Sequence, residues 1–383
     1  MKIVLSGVET SNKGAELMLY AILQEIVRKH PEAEVYIPAQ NIRQGIGYVQ
    51  TSLKLKFLPF GWLVKHLHLR GIFRVFHISR RRLQDVYAIK GADYFLDGSG
   101  FHFSDQKKNF TPDKVWKWQH LLRRLHRQGC RIIFLPQAFG PAKKKNTLNG
   151  LKAISNYSSV IMPRERVSYN YLEQSGVVDM SKVRLFSDFT SLVQGVFPKD
   201  YEHLKGGVCL IPNLRMVDTG TVSKDHYINL LAAIANQCKA SGFPVYLLNH
   251  EGKGDEKLAY ECQQIIGDGI EVVTGLNALE VKGMIASAYV VVTSRFHGLA
   301  SALNSCVPCL ATSWSHKYAE LFNDYGLSDC VLPLDNNDKA VAKVFSFMDK
   351  NKNDEIRQHL SAQVEKIKAQ TEAMWDLVWS LSR

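Results

Sequence analysis

Short apolar runs in this chain repeatedly end in glycine-bearing or polar turns, and each turn leads into a helical stretch. The first example predicts a buried strand at 2–6, a loop at 7–13 and a helix at 15–30 that Pro31 stops. Strands that alternate with helices favour parallel sheets, because each parallel pair needs a long crossover connection. Further strands are predicted at 94–96, 132–135, 160–162, 183–186, 208–211, 245–248, 271–273, 289–293 and 309–311.

A chain of 383 residues is long enough for two domains. The turn Phe197-Pro198-Lys199-Asp200 separates two sets of strands, and it predicts an N-terminal domain at 1–198 and a C-terminal domain at 199–383. A terminal helix is expected at 354–381, where apolar residues recur at helical spacing. The fold class expected from this pattern is α/β, with two Rossmann-like domains facing each other across a cleft, as in the GT-B architecture.

Composition and cysteine usage indicate a globular protein of a reducing compartment. Hydrophobic residues make up 46% of the chain and charged residues 22%. No leader-like segment and no run of roughly 18 apolar residues is present, so a cytoplasmic location is expected. The seven cysteines are an odd number and scattered, which predicts free, mostly buried thiols. Cys306 and Cys309 have redox or zinc spacing, but no second Cys or His pair follows, and packing is the favoured interpretation.

The net charge of +12 is concentrated in one segment. Between Val35 and Gln84 there are nine Lys and Arg residues and no acidic one, and large apolar side chains alternate with the basic ones. This mixture predicts contact with an anionic membrane surface or an anionic lipid-linked acceptor, and no nucleic-acid partner is expected. The alternative is that the aromatic side chains form part of a domain core. Pro59 and Gly71 interrupt any long helix here.

The segment Ser294-Arg295-Phe296-His297-Gly298 follows an apolar strand and precedes a helix of small residues. In open parallel sheets, ligands bind beyond the carboxyl ends of the strands. Backbone N–H groups at the helix start, with the Arg295 side chain, therefore predict an anion-binding site. The alternative is a capped helix with a solvent-facing Arg295 and a packed His297.

Two further cations follow predicted strand ends. Arg164 lies in the segment 163–166, and Lys317 follows the next strand after His297. Arginines from both halves suit a small polyanion held in the cleft, although Arg164 has a ready internal partner in Glu165 and Lys317 alone fits a surface residue. The loop 11–14 lacks the glycines of a dinucleotide fingerprint and the spacing of a P-loop, so neither NAD nor ATP use is expected.

Several of these segments together resemble the polysaccharide pyruvyl transferase family. The resemblance is strongest over 294–298 and onward to Lys317, where the arginine, the histidine and the lysine stand at the family's positions. It covers nearly the whole chain in order, although the turn at 97–100 has one glycine fewer than the family often shows. The other matching segments are 12–16, 97–100, 136–141, 164–165 and 186–188.

The resemblance implies a GT-B-like fold and transfer of the pyruvyl group of phosphoenolpyruvate to a glycan, as a cyclic ketal with release of phosphate. By matching position it implies that Arg164, Arg295 and His297 hold or activate the donor. It implies a glycan acceptor, expected to be lipid-linked, and no metal. No family landmark matches 35–84, so acceptor choice is expected there or in neighbouring loops. The implied substrate-binding residues are Lys317, Phe296, Gly298, Asn12, Gly14, Gly98 and Gln137.

The residue types suit that chemistry. Phosphoenolpyruvate carries about three negative charges at neutral pH, and an arginine fork matches a planar carboxylate. His297 is the expected acid or base, with phosphate binding as its alternative role.

Two other functions fit the sequence less well. A nucleotide-sugar glycosyltransferase of the retaining type commonly carries two glutamates eight positions apart, and no such pair follows Gly207. A non-catalytic glycan-binding module is disfavoured by the presence of Arg295, His297 and Lys317 together.

Overall fold

The computed structural model describes residues 1–37, 54–56, 90–106, 111–312 and 317–381. Two compact units make up the chain. The first comprises Met1–Ser11, Met18–Phe189 and Glu372–Arg383, and the second comprises Asn12–Leu17 and Thr190–Thr371. The chain passes from the first unit to the second after Phe189, whereas the sequence predicted a boundary at 198/199, and it returns to the first unit at Glu372.

The first unit is built on a six-stranded parallel sheet in the order β3-β2-β1-β4-β5-β6. This is the strand order of doubly wound dinucleotide-binding folds, in which the order reverses between the two central strands. Strands β1 and β4 are neighbours at that reversal. The strands are β1 (Lys2–Ser6), β2 (Glu34–Tyr36), β3 (Lys54–Lys56), β4 (Tyr94–Asp97), β5 (Arg131–Gln137) and β6 (Val160–Pro163).

Helices connect the strands of the first unit, and their ends follow the local sequence. The helix before β5 begins after Thr111, whose side chain accepts a hydrogen bond from the Lys114 N–H, and Pro112 occupies its first turn. Both features are typical of helix starts. The helices are α1 (Lys13–Lys29), which begins in the segment assigned to the second unit, α2 (Pro112–Arg127), α3 (Lys145–Tyr157) and α4 (Arg166–Gln174).

One predicted strand of the first unit is wrong. The segment 183–186 forms only an isolated bridge from Val183 to Ile161, at the edge of the sheet beside β6. Its backbone still donates to β6, from Arg184 N to Ile161 O at 3.0 Å. An apolar start was enough to suggest a strand, but the following residues are too irregular to continue the ladder. Strands β2 and β3 were not predicted, because each contains a single aliphatic residue and gives no apolar run.

The second unit is built on a five-stranded parallel sheet in the order β11-β10-β7-β8-β9. Its core strands are apolar and buried on both faces, which is the pattern expected when helices cover both sides of a parallel sheet. All five lie where the sequence predicts them, apart from a one-residue difference at the start of β10. They are β7 (Val208–Ile211), β8 (Val245–Leu248), β9 (Glu271–Val273), β10 (Val290–Thr293) and β11 (Cys309–Ala311).

The helices of the second unit follow the same alternation. The helix after β9 starts with a capping box, in which Asn277 and Glu280 satisfy each other's backbone N–H groups. The terminal helix carries the predicted apolar stripe, and Leu360, Val364 and Met374 on it are buried. The helices are α5 (Arg215–Asp218), α6 (Lys224–Ala240), α7 (Gly252–Ile266), α8 (Ala278–Ala286), α9 (Phe296–Asn304), α10 (Lys317–Asp324), α11 (Asn337–Met348) and α12 (Lys350–Ser380), whose residues from Glu372 onward are assigned to the first unit.

Six of the seven cysteine side chains are buried, as predicted, and Cys306 is partly exposed. Burial raises the pKa of Cys130 and Cys209 to about 12, so these thiols stay protonated at neutral pH. No helix in the described part of the chain combines the length and the hydropathy needed to cross a bilayer.

Candidate functional site

Polar residues of the second unit cluster where its parallel strands end. Asn213 follows β7, His250 and Glu251 follow β8, and the segment 294–298 follows β10. Strands β10, β7 and β8 are consecutive in the sheet, so their carboxyl ends lie side by side. This edge is the one at which open α/β sheets bind ligands.

Buried hydrogen bonds hold the loop after β10 in place. The carbonyl oxygen of Ser294 accepts a hydrogen bond from Asn213 Nδ2 at 2.6 Å and a second one from the Tyr318 hydroxyl. The Arg295 backbone N–H donates to Thr293 Oγ1 at 3.0 Å. Arg295 itself is the N-cap of α9 and makes no side-chain capping hydrogen bond, so its guanidinium is available for other partners.

Those partners are two carboxylates on α7 and its cap. Arg295 donates from Nε to Asp255 Oδ2 at 2.8 Å and from Nη2 to Asp255 Oδ1 at 2.6 Å, a bidentate pair. Its Nη1 contacts Glu251 Oε2. Burial raises the pKa of Asp255, an effect that the charge of Arg295 opposes. The Arg295 guanidinium is therefore paired with two carboxylates and does not face open solvent. Neither of these carboxylates was predicted from the sequence to lie in the site.

The segment that precedes α1 joins this cluster in the second unit. Asn12 donates from Nδ2 to Glu251 Oε1 at 2.6 Å, while its Oδ1 accepts from the Ala15 N–H at 3.0 Å. Gly14 lies directly against His297, since a Cβ placed on it would be 2.3 Å from Nδ1 of the imidazole. Four residues predicted from the sequence to act on substrate, Asn12, Gly14, Arg295 and His297, are thus brought together.

The remaining predicted residues of this unit lie on the same elements. Phe296 is the first residue of α9, and its ring meets that of His297 edge to face at 5.4 Å between centroids. Gly298 is buried, and a Cβ on it would lie 3.0 Å from Thr293 Oγ1. Lys317 begins α10.

His250 is a site residue that sequence reasoning missed. It is 5% exposed, and its Nδ1 has no hydrogen-bond partner within the part of the chain that the structure describes. Burial, followed by the positive charges of Arg295, His297 and Lys13, holds the pKa of His250 well below its usual range. The imidazole is therefore neutral at neutral pH. Its position directly after apolar β8 was the available signal, the same one that identified Arg295.

Arg164 of the first unit is 7% exposed and paired internally. Its Nε donates to Glu165 Oε2 at 3.2 Å, and its Nη1 lies 3.8 Å from Asp188 Oδ2. Glu165 also accepts a hydrogen bond from Ser168. Arg164 is therefore paired with Glu165, the partner adjacent to it in the sequence. A role for Arg164 in donor binding stays a prediction.

Gly98 and Gln137 lie at neighbouring strand ends of the first unit. Gln137 is the last residue of β5 and donates from Nε2 to Asp97 Oδ1 at 3.3 Å, and both side chains are fully buried. Asp97 Oδ2 and Gln137 Oε1 have no donor within the described ranges, although buried acceptors normally have one. Gly98 packs tightly, because a Cβ there would lie 2.7 Å from Val8 Cγ1.

Two predictions find little or no test in the structure. The basic segment from Val35 to Gln84 lies largely outside the described residues, so contact with an anionic membrane stays a prediction. Over the described ranges, no group of three or more His, Cys, Asp or Glu side chains is arranged to hold a metal ion.

Comparison with known proteins finds a matching family. The sequence profile described as polysaccharide pyruvyl transferase matches residues 12–316. No curated protein sequence is significantly similar to the chain.

Solved structures resemble it in fold, at identities too low to show more. HepE from Anabaena, in complex with UDP and glucose, has a TM-score of 0.61 at 10% identity, with 100% of both chains covered. UDP-GlcNAc 2-epimerase from Neisseria meningitidis, bound to UDP-GlcNAc, has a TM-score of 0.60 at 10% identity, again with 100% of both chains covered. MnaA from S. aureus with UDP reaches 0.59 at 10% identity and covers 99% of this chain and 96% of its own. The predicted GT-B-like α/β fold class is confirmed.

Proposed function

Because the chain belongs to the polysaccharide pyruvyl transferase family, we propose that it moves the pyruvyl group of phosphoenolpyruvate onto a sugar of a polysaccharide or lipid-linked oligosaccharide. The observation that carries the proposal is the convergence of Arg295, His297 and Asn12 at one strand edge within the matched region. A guanidinium, an imidazole, an amide and the start of α9 suit a small anion.

The reaction requires one proton to be added to the donor and two to leave the acceptor. Protonation of the methylene carbon of phosphoenolpyruvate makes C2 electrophilic, and one sugar hydroxyl adds to C2 and loses its proton. A second hydroxyl then replaces the phosphate, which leaves with the remaining proton as inorganic phosphate. The product is a ketal that bridges the two sugar oxygens, and the scheme uses no metal.

The described residues can divide this work. Arg295 orients the donor and compensates charge on the departing phosphate. His297, at the start of α9, transfers the proton, because imidazole gains and loses protons near neutral pH. We further propose a cytoplasmic location at the inner face of the membrane, where a lipid-linked acceptor would be held.

Donor identity is the decisive test. Phosphoenolpyruvate at millimolar concentration is expected to raise the Tm of the protein, because a ligand that binds only the folded state stabilises it. UDP-glucose at the same concentration should leave the Tm unchanged. With a lipid-linked glycan present, phosphate release should match the formation of pyruvylated sugar, measured by mass spectrometry. Stabilisation by UDP-glucose alone would favour a nucleotide-sugar enzyme. This is the main alternative function, because the structurally similar proteins are complexes with UDP or a UDP-sugar.

Gly14→Ala is expected to lower turnover by about a hundredfold, since displacing a catalytic group by about 1 Å costs that much. The added methyl would lie 2.3 Å from Nδ1 of His297, so the imidazole must move. Helix α1 should not be weakened, because alanine is the better helix former by about 1 kcal/mol. The measurement is the turnover number alongside the Tm. Wild-type turnover in this variant would show that the position of the ring does not matter to the reaction.

A further inference from the structure

Glu251 bridges two residues that are predicted to bind substrate. Its Oε1 accepts a hydrogen bond from Asn12 Nδ2 at 2.6 Å, and its Oε2 contacts Nη1 of Arg295. A ligand carboxylate or phosphate bound at this edge would present two oxygens to the same donors, because a guanidinium and an amide N–H both seek anionic oxygen. Glu251 thus contacts two donors of the kind that bind an anionic ligand group.

We propose that Glu251 is an internal substitute for the anionic donor, which displaces it from Arg295 and Asn12, while Asp255 remains bound and positions Arg295. This inference rests on the proposed function, because it takes phosphoenolpyruvate as the displacing anion. It predicts that the Glu251 carboxylate opposes donor binding and that the Asp255 carboxylate supports it, although both contact the Arg295 guanidinium.

Charge requires one of the two carboxylates to move. Arg295 contributes one positive charge, whereas Glu251 and Asp255 contribute one negative charge each. These three side chains therefore carry a net charge of −1, and the Glu251 carboxylate would repel an anion brought against Arg295. When Glu251 leaves, the charges of Arg295 and Asp255 cancel. An anionic group of the donor then contacts Arg295 in place of the Glu251 carboxylate.

Burial and hydrogen bonding show which carboxylate can leave. The Asp255 side chain is 2% exposed, is bidentate to Arg295, and also accepts a hydrogen bond from the Leu214 N–H at 3.0 Å. The Glu251 side chain is 33% exposed, so water can solvate its carboxylate after release. Removing Asp255 from its partners would strand a buried charge, which is far more costly than releasing a half-solvated one.

The helix that carries these residues does not depend on the Glu251 side chain. Glu251 is the N-cap residue of α7, but its side chain makes no capping hydrogen bond to that helix. Its release therefore removes no bond from the helix start, and Asp255, in the first turn of α7, stays in place. Asn12 likewise keeps its Oδ1 bond to the Ala15 N–H when Nδ2 changes its partner.

The test compares phosphoenolpyruvate binding by isothermal titration calorimetry in two charge-neutralising variants. Glu251→Gln is expected to bind phosphoenolpyruvate about three- to tenfold more tightly than wild type, because the competing charge is gone. Asp255→Asn is expected to bind it at least about tenfold more weakly, because Arg295 loses its fixed orientation. Both titrations are run well below the Tm of each variant, so that unfolding does not contribute.

Glu256→Gln is the matched control. Glu256 lies on the same helix, is partly exposed like Glu251, and accepts a hydrogen bond from Thr274 Oγ1 at 2.8 Å. The Glu256→Gln variant loses the same charge as Glu251→Gln and should bind phosphoenolpyruvate as tightly as wild type does. Glu251→Gln binding equal to or weaker than wild type would overturn the inference and leave the proposed function intact. Failure of wild type and Glu251→Gln alike to bind phosphoenolpyruvate would instead overturn the proposed function.

Discussion

Arg295→Ala is expected to weaken phosphoenolpyruvate binding by about 2–4 kcal/mol, a loss of roughly 30- to 1000-fold in affinity, since it removes the charged partner of a buried anion. It should also lower the free energy of unfolding. Asp255 would keep a charge with a side chain only 2% exposed after its bidentate partner is gone, and breaking a buried pair in this way costs about 3–5 kcal/mol. Calorimetric titration and urea denaturation measure the two effects.

A double variant separates binding from folding. In Arg295→Ala/Asp255→Asn the stranded charge is removed, so much of the lost stability should return while donor binding stays weak. Arg295→Lys should restore little binding, because an ammonium cannot reproduce the fork that holds Asp255 and a ligand together. Donor affinity at the wild-type level in Arg295→Ala would exclude this residue from the donor site.

His297→Gln is expected to lower turnover by about 10²- to 10⁴-fold, the usual contribution of general acid–base catalysis. The Kd for phosphoenolpyruvate should change far less, because glutamine is similar in length and still donates a hydrogen bond while being unable to carry a proton between substrates. Steady-state kinetics and calorimetric titration give the two quantities independently.

His203→Gln serves as the matched histidine variant. His203 belongs to the same unit, is largely exposed and pairs with Glu271 at 2.8 Å, away from the strand edge that carries His297. The turnover number of the His203→Gln variant should equal that of wild type. A His297→Gln variant that loses donor affinity and turnover in equal measure would be a phosphate ligand and would contradict the proton-transfer role.

Position in the sequence was a good guide to the strands and to part of the site. Strands β7, β8 and β11 lie at the predicted residues, because a strand buried on both faces must be apolar throughout and stands out between polar turns. Arg295 and His297 were found by the same logic, since a polar segment directly after such a strand lies at the ligand-binding edge. The short strand β2 carries no comparable signal.

Contacts between residues distant in the chain were beyond sequence reasoning. Asp255 is separated from Arg295 by 40 positions, and Glu251 from Asn12 by 239. On α7, Asp255 looks like an ordinary acidic residue of the first turn, which helix dipoles favour anyway. Its burial against Arg295 follows from the packing of α7 beside β8 and β9, which no local pattern encodes.

The sequence by itself determined that the chain forms parallel sheets covered by helices, and which strand ends carry cations, because both properties depend on apolar periodicity and on local order along the chain. Only the tertiary structure decided what those cations contact. Arg295 meets Asp255 and Glu251, and Arg164 lies 3.8 Å from Asp188 in addition to its neighbour Glu165. The physical reason is that a buried guanidinium is stabilised by whichever carboxylates the fold places within hydrogen-bond distance, and that proximity is set by the order of strands in the sheet.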